Sequence, residues 1–294
     1  MIAIYQQEHP RLPLQRLCEV LSVSRSWFYE RPASLLPDEA DTRLRDQIER
    51  IVLEFPRYGY RRVTAELHDQ GEIVNHKKVL RILRKESLLC RLKKRFVTTT
   101  DSDHYNGIYP NLLKGKTLTR INEAWVADIT YIHLPAGFCY LATILDAFSR
   151  RCVGWHLSKD IDTRLCLGAL EKALSERCPP RGLAGLIHHS DRGVQYTSVD
   201  YISRLDDAGV LPSMSAKGNP YDNAKAESFF KTLKQEEVYL NEYRTFMEAQ
   251  ENITAFIGAV YNRRRLHSAL GYRSPETFEK ALENHTIIVN AELT

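Results

Sequence analysis

The sequence has no apolar run that approaches the roughly 18 residues of a membrane-spanning helix. Its first residues, MIAIYQQEHPRL, also lack the continuous apolar segment of a secretory signal peptide. Six cysteines, at positions 18, 90, 139, 152, 166 and 178, form no CxxC pair, and no histidine and cysteine cluster has zinc-ligand spacing. We therefore expect a cytosolic chain with reduced, mostly buried cysteines.

Positive charge is concentrated in the first part of the chain. The 294 residues include 41 Lys and Arg and 37 Asp and Glu, for a formal net charge of +4. Residues 1–120 contain 22 basic and 15 acidic residues, whereas residues 121–294 contain 19 and 22. The basic first part is the expected contact for a polyanion.

Three carboxylates stand where a metal-dependent phosphoryl-transfer site needs them. Asp128 lies in WVADITYIHL, whose apolar residues on both parities predict a strand that is covered on both faces. Asp191 follows the apolar run LAGLIHH, which places it at the C-terminal end of a strand, where open α/β sheets bind ligands. Residues 192–226, which number 35, separate Asp191 from Glu227.

Glu227 belongs to a predicted helix within NPYDNAKAESFFKTLKQEEV. Asn219 is the expected N-cap and Pro220 the expected first helical residue. One face carries Ala226, Phe229, Phe230 and Leu233, and the other carries Asn223, Glu227, Lys231 and Lys234 at steps of three and four residues. We expect this helix to bury its phenylalanines on the sheet and to point a carboxylate and then lysines along its rim.

Such a carboxylate set suits two hard divalent cations, Mg²⁺ or Mn²⁺. Two ions roughly 3.5 to 4 Å apart stabilise both the attacking and the leaving oxygen of a displacement at phosphorus. We expect Asp128 to bridge both ions and Asp191 and Glu227 to hold one each, while Lys234 contacts a phosphate. His188 and His189 adjoin Asp191, but carboxylates already suffice for a hard cation, so packing roles are favoured for both. Asp146, beside a turn, is also expected to be structural.

Two helical segments precede this region. Residues 14–30 have the outline of a helix-turn-helix, although any small helical hairpin fits the same pattern. Helices are expected over residues 41–55, 61–70 and 76–85, the last capped by Asn75. From Arg57 to Arg95 there are 12 basic and 4 acidic residues, which favours DNA phosphates over a merely solvated face. The expected DNA-binding residues are Arg61, Arg62, Lys77, Lys78, Arg81, Lys231 and Lys234.

The catalytic part is expected to contain five strands and several helices. The strands are expected over 124–134, 138–145, 151–158, 183–188 and 210–215, the first three as an antiparallel meander. Helices are expected over 162–177, 197–208 and 245–261, the first as the crossover to a parallel strand. In the tail, Arg263, Arg264, Arg265 and His267 either grip phosphate or dock the tail on the core, and the sequence leaves both readings open. The expected divisions are 1–36, a helical domain at 37–90, a basic linker at 91–120, a core at 121–240 and a C-terminal extension at 241–294.

Five stretches in this order resemble the integrase-type catalytic core of bacterial insertion-sequence transposases of the second-frame (OrfB) type. They are WVADITYI, LATILDAFSRRCVGW, HHSDRGVQYTS, SMSAKGNPYDNAKAESFFKTLK and YNRRRLHSALGYRSPETF. The acidic triad of that family corresponds to Asp128, Asp191 and Glu227, and its basic residue seven positions later to Lys234. YGYRRVTAEL and VNHKKVLRILRK resemble the helix-turn-helix module that precedes the core.

The resemblance implies an α/β, ribonuclease H-like fold with a mixed five-stranded sheet and helices on both faces, preceded by small all-α modules. It also implies a DNA transposase that cleaves and joins element ends, acting on terminal inverted repeats and target DNA in the bacterial cytosol and nucleoid. A homo-oligomer on DNA is expected, and the separate first-frame (OrfA) protein is a candidate partner. The alternatives are a ribonuclease H-like nuclease and a catalytically inactive DNA-binding regulator.

Overall fold

The computed structural model of the protein describes residues 13–20, 24, 39–90, 109–177, 182–215 and 223–284. The second helix expected within residues 14–30, most of the expected linker, and the expected capping residues Asn219 and Pro220 lie outside these ranges. Within the described part of the chain, no helix is both long and apolar enough to span a membrane.

The described helices before the sheet are α1 (Leu14–Val20), α2 (Glu39–Glu54), α3 (Tyr60–Asp69) and α4 (His76–Lys85). We call residues 39–90 the helical module. Asn75 caps α4 as expected, because its side chain accepts a hydrogen bond from the Lys77 backbone N–H at 2.8 Å. Val79, Ile82 and Leu83 of α4 pack with apolar residues of α2 and α3 in one small core. The basic residues of α4 are thereby left on its outer side.

A mixed five-stranded sheet forms the centre of the protein. Its strands are β1 (Ala124–Leu134), β2 (Gly137–Asp146), β3 (Cys152–Ser158), β4 (Ile187–Ser190) and β5 (Leu211–Met214), in the order β3-β2-β1-β4-β5. β1, β2 and β3 pair antiparallel, and β4 pairs parallel with both β1 and β5. The expected mixed sheet, with its antiparallel meander followed by a parallel strand, is therefore confirmed.

The position of β4 corrects one expectation. A strand over 183–188 was expected from the apolar run, but the strand begins at Ile187 and continues to Ser190. Gly182 and Gly185 have φ angles of +71° and +82°, a left-handed conformation typical of turns rather than strands. Leu183 and Leu186 belong to that turn, and their side chains are buried. A prediction based on the apolar run alone therefore placed the strand too early.

Helices cover both faces of the sheet. On one face, α5 (Thr163–Glu176) and α6 (Val199–Asp207) pack on Trp125, Ala127 and Ile144. On the other face lie α7 (Ala224–Leu233), α8 (Phe246–Ala255) and α9 (Pro275–Glu283). A π-helical turn (Lys234–Val238) extends α7, and a second one (Phe256–Asn262) extends α8. The expected C-terminal extension thus contributes to the same core as the sheet.

The helical module is docked on the chain's C-terminal part. Leu266 and Val260 join the core of the module, packed with its apolar residues. The Leu266 N–H donates to the Tyr58 hydroxyl at 2.9 Å, and the Arg62 guanidinium donates to the Leu266 carbonyl at 3.1 Å. The module and the C-terminal part therefore share an interface with both apolar and directional contacts.

Candidate active site

The sheet register places Asp128 and Asp191 side by side. β1 and β4 are parallel, and Val126 pairs with His189. Asp128 and Asp191 each come two residues after this last pair, Asp191 just beyond the end of β4, so the two carboxylates start from the same end of the pairing. Adjacent strands are about 4.8 Å apart, and residues two apart on a strand share a face.

Electrostatics agree with that placement. The pKa of Asp128 is raised to about 7, first because burial disfavours its charged form and second because Asp191 is close. Glu227 raises it further by a smaller amount, whereas the Ile129 backbone N–H, which donates to Asp128 at 2.8 Å, and the Lys234 ammonium lower it. Asp191 and Glu227 therefore both lie close enough to Asp128 to act on its carboxylate.

Helix α7 brings Glu227 to this edge. Ala226, Phe229, Phe230 and Leu233 are buried against the sheet, as expected, and Glu227 lies exposed in the first turn. Asn223, which was expected on the exposed stripe with Glu227, is instead buried at the start of the helix, and its side-chain amide donates to the Ala127 carbonyl at 3.3 Å. That carbonyl is adjacent to Asp128, so Asn223 fixes the start of α7 beside the carboxylates. Helical spacing gave no sign of this contact.

Two lysines follow Glu227 on the helix. Lys231 is exposed, and Lys234 is half-buried with its ammonium 4.7 Å from the centroid of the Tyr131 ring. Burial lowers the pKa of Lys234, while the Asp128 carboxylate opposes that shift. Lys234 is thus held beside the carboxylates with its charge directed along β1.

As placed, no three His, Cys, Asp or Glu side chains of the described residues form a group that holds a metal ion. The donor set nevertheless fits a divalent cation. The buried Asp128 carboxylate, which Asp191 and Glu227 both repel, gains from a compensating cation, and hard carboxylate oxygens are the ligands that Mg²⁺ and Mn²⁺ prefer. The Asn223 side-chain oxygen is a further buried acceptor for which the structure gives no hydrogen-bond partner.

The π-helical turn after α7 is held by a buried ion pair and by the helical module. Arg265 and Glu236 form two hydrogen bonds of 2.7 Å each, with side chains only 5% and 12% exposed. The Arg57 guanidinium donates to the Gln235 carbonyl at 3.2 Å. The turn that continues the Glu227 helix is therefore in direct contact with both the C-terminal segment and the module.

The contacts of the tail residues differ from one residue to the next. Arg263 pairs with Glu276, Arg264 with Glu54 and Arg265 with Glu236. His267 is largely buried beside Arg265, and its pKa is lowered well below the usual value by burial. Arg265 and His267 thus dock the tail on the core, whereas the side chains of Arg263 and Arg264 are 69% and 54% exposed, and phosphate binding stays a prediction for these two.

The predicted DNA-binding residues of the module fall into two groups. Arg61, Lys77 and Arg81 are exposed, and Lys78 forms an exposed ion pair with Asp41 at 2.6 Å. Arg62 is half-buried in the contact with Leu266, and burial lowers its pKa. Arg62 is therefore engaged in docking rather than presented to solvent.

The three residues expected to be structural have buried partners. His188 and His189 lie within β4, where His188 contacts the Tyr201 hydroxyl and His189 the Ser213 hydroxyl, each at 2.9 Å. Asp146 accepts hydrogen bonds from three backbone N–H groups at 2.7 to 3.0 Å, which closes the turn after β2. We assign none of them to the chemistry.

Comparison with known families gives three matches along the chain. Residues 119–220 and residues 208–275 match integrase core domains, and residues 39–96 match an HTH-like domain. The first integrase core match contains Asp128 and Asp191, and the second contains Glu227. The three matches together cover most of the described chain.

Several curated proteins are similar over most of their length. The uncharacterized 31 kDa protein of insertion element IS600 of Shigella sonnei is 38% identical over 268 residues, 90% of this chain and 97% of that protein. The transposase for insertion sequence element IS904 of Lactococcus lactis is 38% identical over 76% of this chain and 88% of its own. Transposase InsF for insertion sequence IS3A of Escherichia coli is 34% identical over 93% and 96%. The comparisons do not support the separate first-frame partner.

Solved structures with a similar arrangement are integrase cores. The catalytic core domain of BIV integrase is 15% identical, with a TM-score of 0.42, over 56% of this chain and 98% of that one. The HTLV-2 integrase catalytic core domain in complex with magnesium is 14% identical, with a TM-score of 0.42, over 56% and 99%. Similarity of this degree transfers no residue role.

Proposed function

The chain belongs to the family of insertion-sequence transposases with an integrase core domain. From that premise we propose that it cleaves and joins DNA at the ends of its element, with Asp128, Asp191 and Glu227 as the catalytic carboxylates. What supports this most is that the parallel pairing of β1 and β4 ends two residues before Asp128 and Asp191, and that Asp191 acts electrostatically on Asp128. Water and a 3′-hydroxyl are the nucleophiles of the two steps, with no covalent protein–DNA intermediate.

The same carboxylates would hold two Mg²⁺ or Mn²⁺ ions per site. Bound ions of this kind supply Lewis-acid stabilisation to the attacking and leaving oxygens. Lys234 binds the phosphate beside the carboxylates as a point charge, for which its position between Asp128 and Tyr131 is suited. Asn223 holds the start of α7 against β1, which keeps Glu227 beside the other two carboxylates.

The helical module binds the terminal repeats of the element through the exposed side of α4. Lys77 and Arg81 on α4 and Arg61 on α3 are the exposed basic residues that we assign to DNA, and Lys78 adds to them when it leaves Asp41. Lys231 extends the basic surface on α7. Because two DNA ends must be held together for joining, the active form is an oligomer on DNA, in the cytoplasm and nucleoid of the bacterial cell.

Conservative amide variants test the chemistry. Asp128→Asn, Asp191→Asn and Glu227→Gln should each abolish cutting and joining of DNA that carries the element's ends, because an amide cannot neutralise a hard cation. Binding of the same DNA, measured by gel shift, should remain, and the melting temperature should not fall, because the variants remove repelling charges. Asp200→Asn, an exposed carboxylate on α6, is the control.

A second readout does not require activity. Added Mn²⁺ should raise the melting temperature of the wild-type protein, because a ligand that binds only the folded state stabilises it. The variant with all three amides should show no such rise. Full cutting activity in any single amide variant would reject the assignment of that carboxylate.

A further inference from the structure

Four aromatic side chains form a strip at the far end of the β1–β2 hairpin. Tyr131 pairs with Tyr140 and His133 with Phe138 in the antiparallel register, and directly opposed residues point to the same face. We call Tyr131, His133, Phe138 and Tyr140 the aromatic strip. It continues the face covered by α5, but only Tyr140 is packed against the core on that face. Phe138 is 51% exposed, the only exposed phenylalanine among the described residues.

The strip is an ordered surface. The Phe138 ring is nearly perpendicular to the rings of Tyr131 and His133, at centroid distances of 5.6 and 5.3 Å and interplanar angles of 83° and 85°. Such edge-to-face contacts hold a ring in one orientation. An exposed phenylalanine that is supported on two sides presents a preformed apolar face to solvent.

The strip is connected to the carboxylates. Among the described residues, β4 pairs with β1 only at residues 124–126, and no strand of that part of the chain lies beside the stretch of β1 that carries Asp128 and Tyr131 on that edge. The Lys234 ammonium lies over the Tyr131 ring at 4.7 Å and interacts electrostatically with Asp128. Asp128 and Tyr131 are three residues apart and therefore leave opposite faces of β1, about 10 Å apart along the strand. Lys234 reaches both of them around this edge.

We propose that the aromatic strip stacks the bases of an unpaired DNA strand next to the phosphate that the carboxylates process. Aromatic rings beside a cation are the surface that single-stranded nucleic acid prefers, since every base offers a π face. Bases inside a duplex are already stacked on one another, so an unpaired segment is the occupant that gains most. This inference rests on the proposed action on DNA ends and adds to it how the strand is held.

Binding of a fluorescein-labelled dT20 oligonucleotide to the full chain, followed by fluorescence anisotropy without divalent metal, tests the strip. Phe138→Ala should weaken binding about tenfold, the size of one lost stacking contact, whereas Phe138→Trp should retain it. Met247→Ala removes an equally exposed apolar side chain, 60% exposed on α8, and should leave binding unchanged. The loss in Phe138→Ala should vanish with an oligonucleotide of abasic sites.

A second measurement does not depend on variants. Irradiation of the wild-type complex with an oligonucleotide containing 5-iododeoxyuridine should crosslink peptides that contain Tyr131 or Phe138. Equal dT20 affinity of Phe138→Ala and wild type, or crosslinks confined to other segments, would overturn the proposal. A loss of self-association in Phe138→Ala, measured by sedimentation without any change in dT20 affinity, would instead assign the strip to a second copy of the chain.

This assay involves no cleavage, so its outcome is separable from that of the amide variants. Active amide variants together with weak dT20 binding by Phe138→Ala would reject the carboxylate assignment and keep the strip. Inactive amide variants together with unchanged dT20 binding by Phe138→Ala would support the carboxylate assignment and reject the proposed role of the aromatic strip.

Discussion

The buried ion pair between Arg265 and Glu236 offers a quantitative test of how the C-terminal segment is held. In Glu236→Gln the carboxylate charge is lost, while the Arg265 guanidinium stays in a position where its side chain is only 5% exposed. Two hydrogen bonds of 2.7 Å are weakened at the same time. Breaking one side of a buried pair costs about 3 to 5 kcal/mol of unfolding free energy, because it leaves a buried charge without compensation.

The exposed pair of Arg204 and Glu171 provides the matched control. It has the same geometry of two nitrogens on two oxygens, but its side chains are 33% and 54% exposed. Glu171→Gln should cost about 0 to 1 kcal/mol, since solvent screens an exposed pair. The double variant Glu236→Gln with Arg265→Met removes both charges and should be more stable than Glu236→Gln alone.

Urea denaturation followed by circular dichroism measures all four proteins, and the midpoint shift at constant slope gives the change in stability. A cost for Glu236→Gln that lies within about 1 kcal/mol of the cost for Glu171→Gln would refute the argument. It would mean that burial does not strengthen this pair, and the contact between the C-terminal segment and the turn after α7 would then depend on apolar packing alone.

Two further predictions concern pH and salt. Burial lowers the pKa of His188 from 6.5 to about 3, so as the pH falls the unfolded chain binds this proton before the folded protein does. The contribution of neutral His188 to stability is therefore complete above pH 6.5 and decreases as the pH drops toward 3. In urea titrations, His188→Gln, which keeps a partner for Tyr201, should reduce the loss of stability between pH 7 and 4.5, and an unchanged loss of stability would contradict this. Lys77→Ala and Arg81→Ala should each reduce the slope of log affinity against log salt concentration for element-end DNA by about 0.9. The control is Lys172→Ala, which should leave the slope unchanged, because the Lys172 ammonium lies over the Trp155 ring, far from α4 in the sequence. Equal slopes in all variants would show that α4 is not part of the DNA interface.

Local sequence patterns predicted most of the helices and strands. The helix over 76–85 and the strand over 124–134 have the bounds that capping and apolar periodicity indicated. Both are determined by residues close to each other in the chain. The strand over 183–188 was wrong because an apolar run does not distinguish a strand from a buried turn, and the two glycines at 182 and 185 decide between them.

Long-range contacts were beyond the reach of the same patterns. Arg62 and Arg265 are basic residues of the kind that a DNA-binding surface contains. Each instead donates a hydrogen bond to a residue distant in the chain, Arg62 to the Leu266 carbonyl and Arg265 to the Glu236 carboxylate. Helical spacing places Asn223 on the same stripe as Glu227. Because the pairing of β1 with β4 ends at Val126, the Ala127 carbonyl accepts a hydrogen bond from the Asn223 side chain instead. Such assignments depend on which elements meet, and helical or strand periodicity contains no information on that.

The docking contacts between Tyr58, Arg62 and Leu266 join residues 208 and 204 positions apart. During translation, the helical module is made first, and its missing apolar partner is added only when nearly all of the polypeptide has been synthesised. Closing so long a loop has a high entropic cost that only the assembled core offsets. A prematurely terminated product that ends before Val260 would keep the helical module with an open apolar face and without its attachment to the rest of the chain.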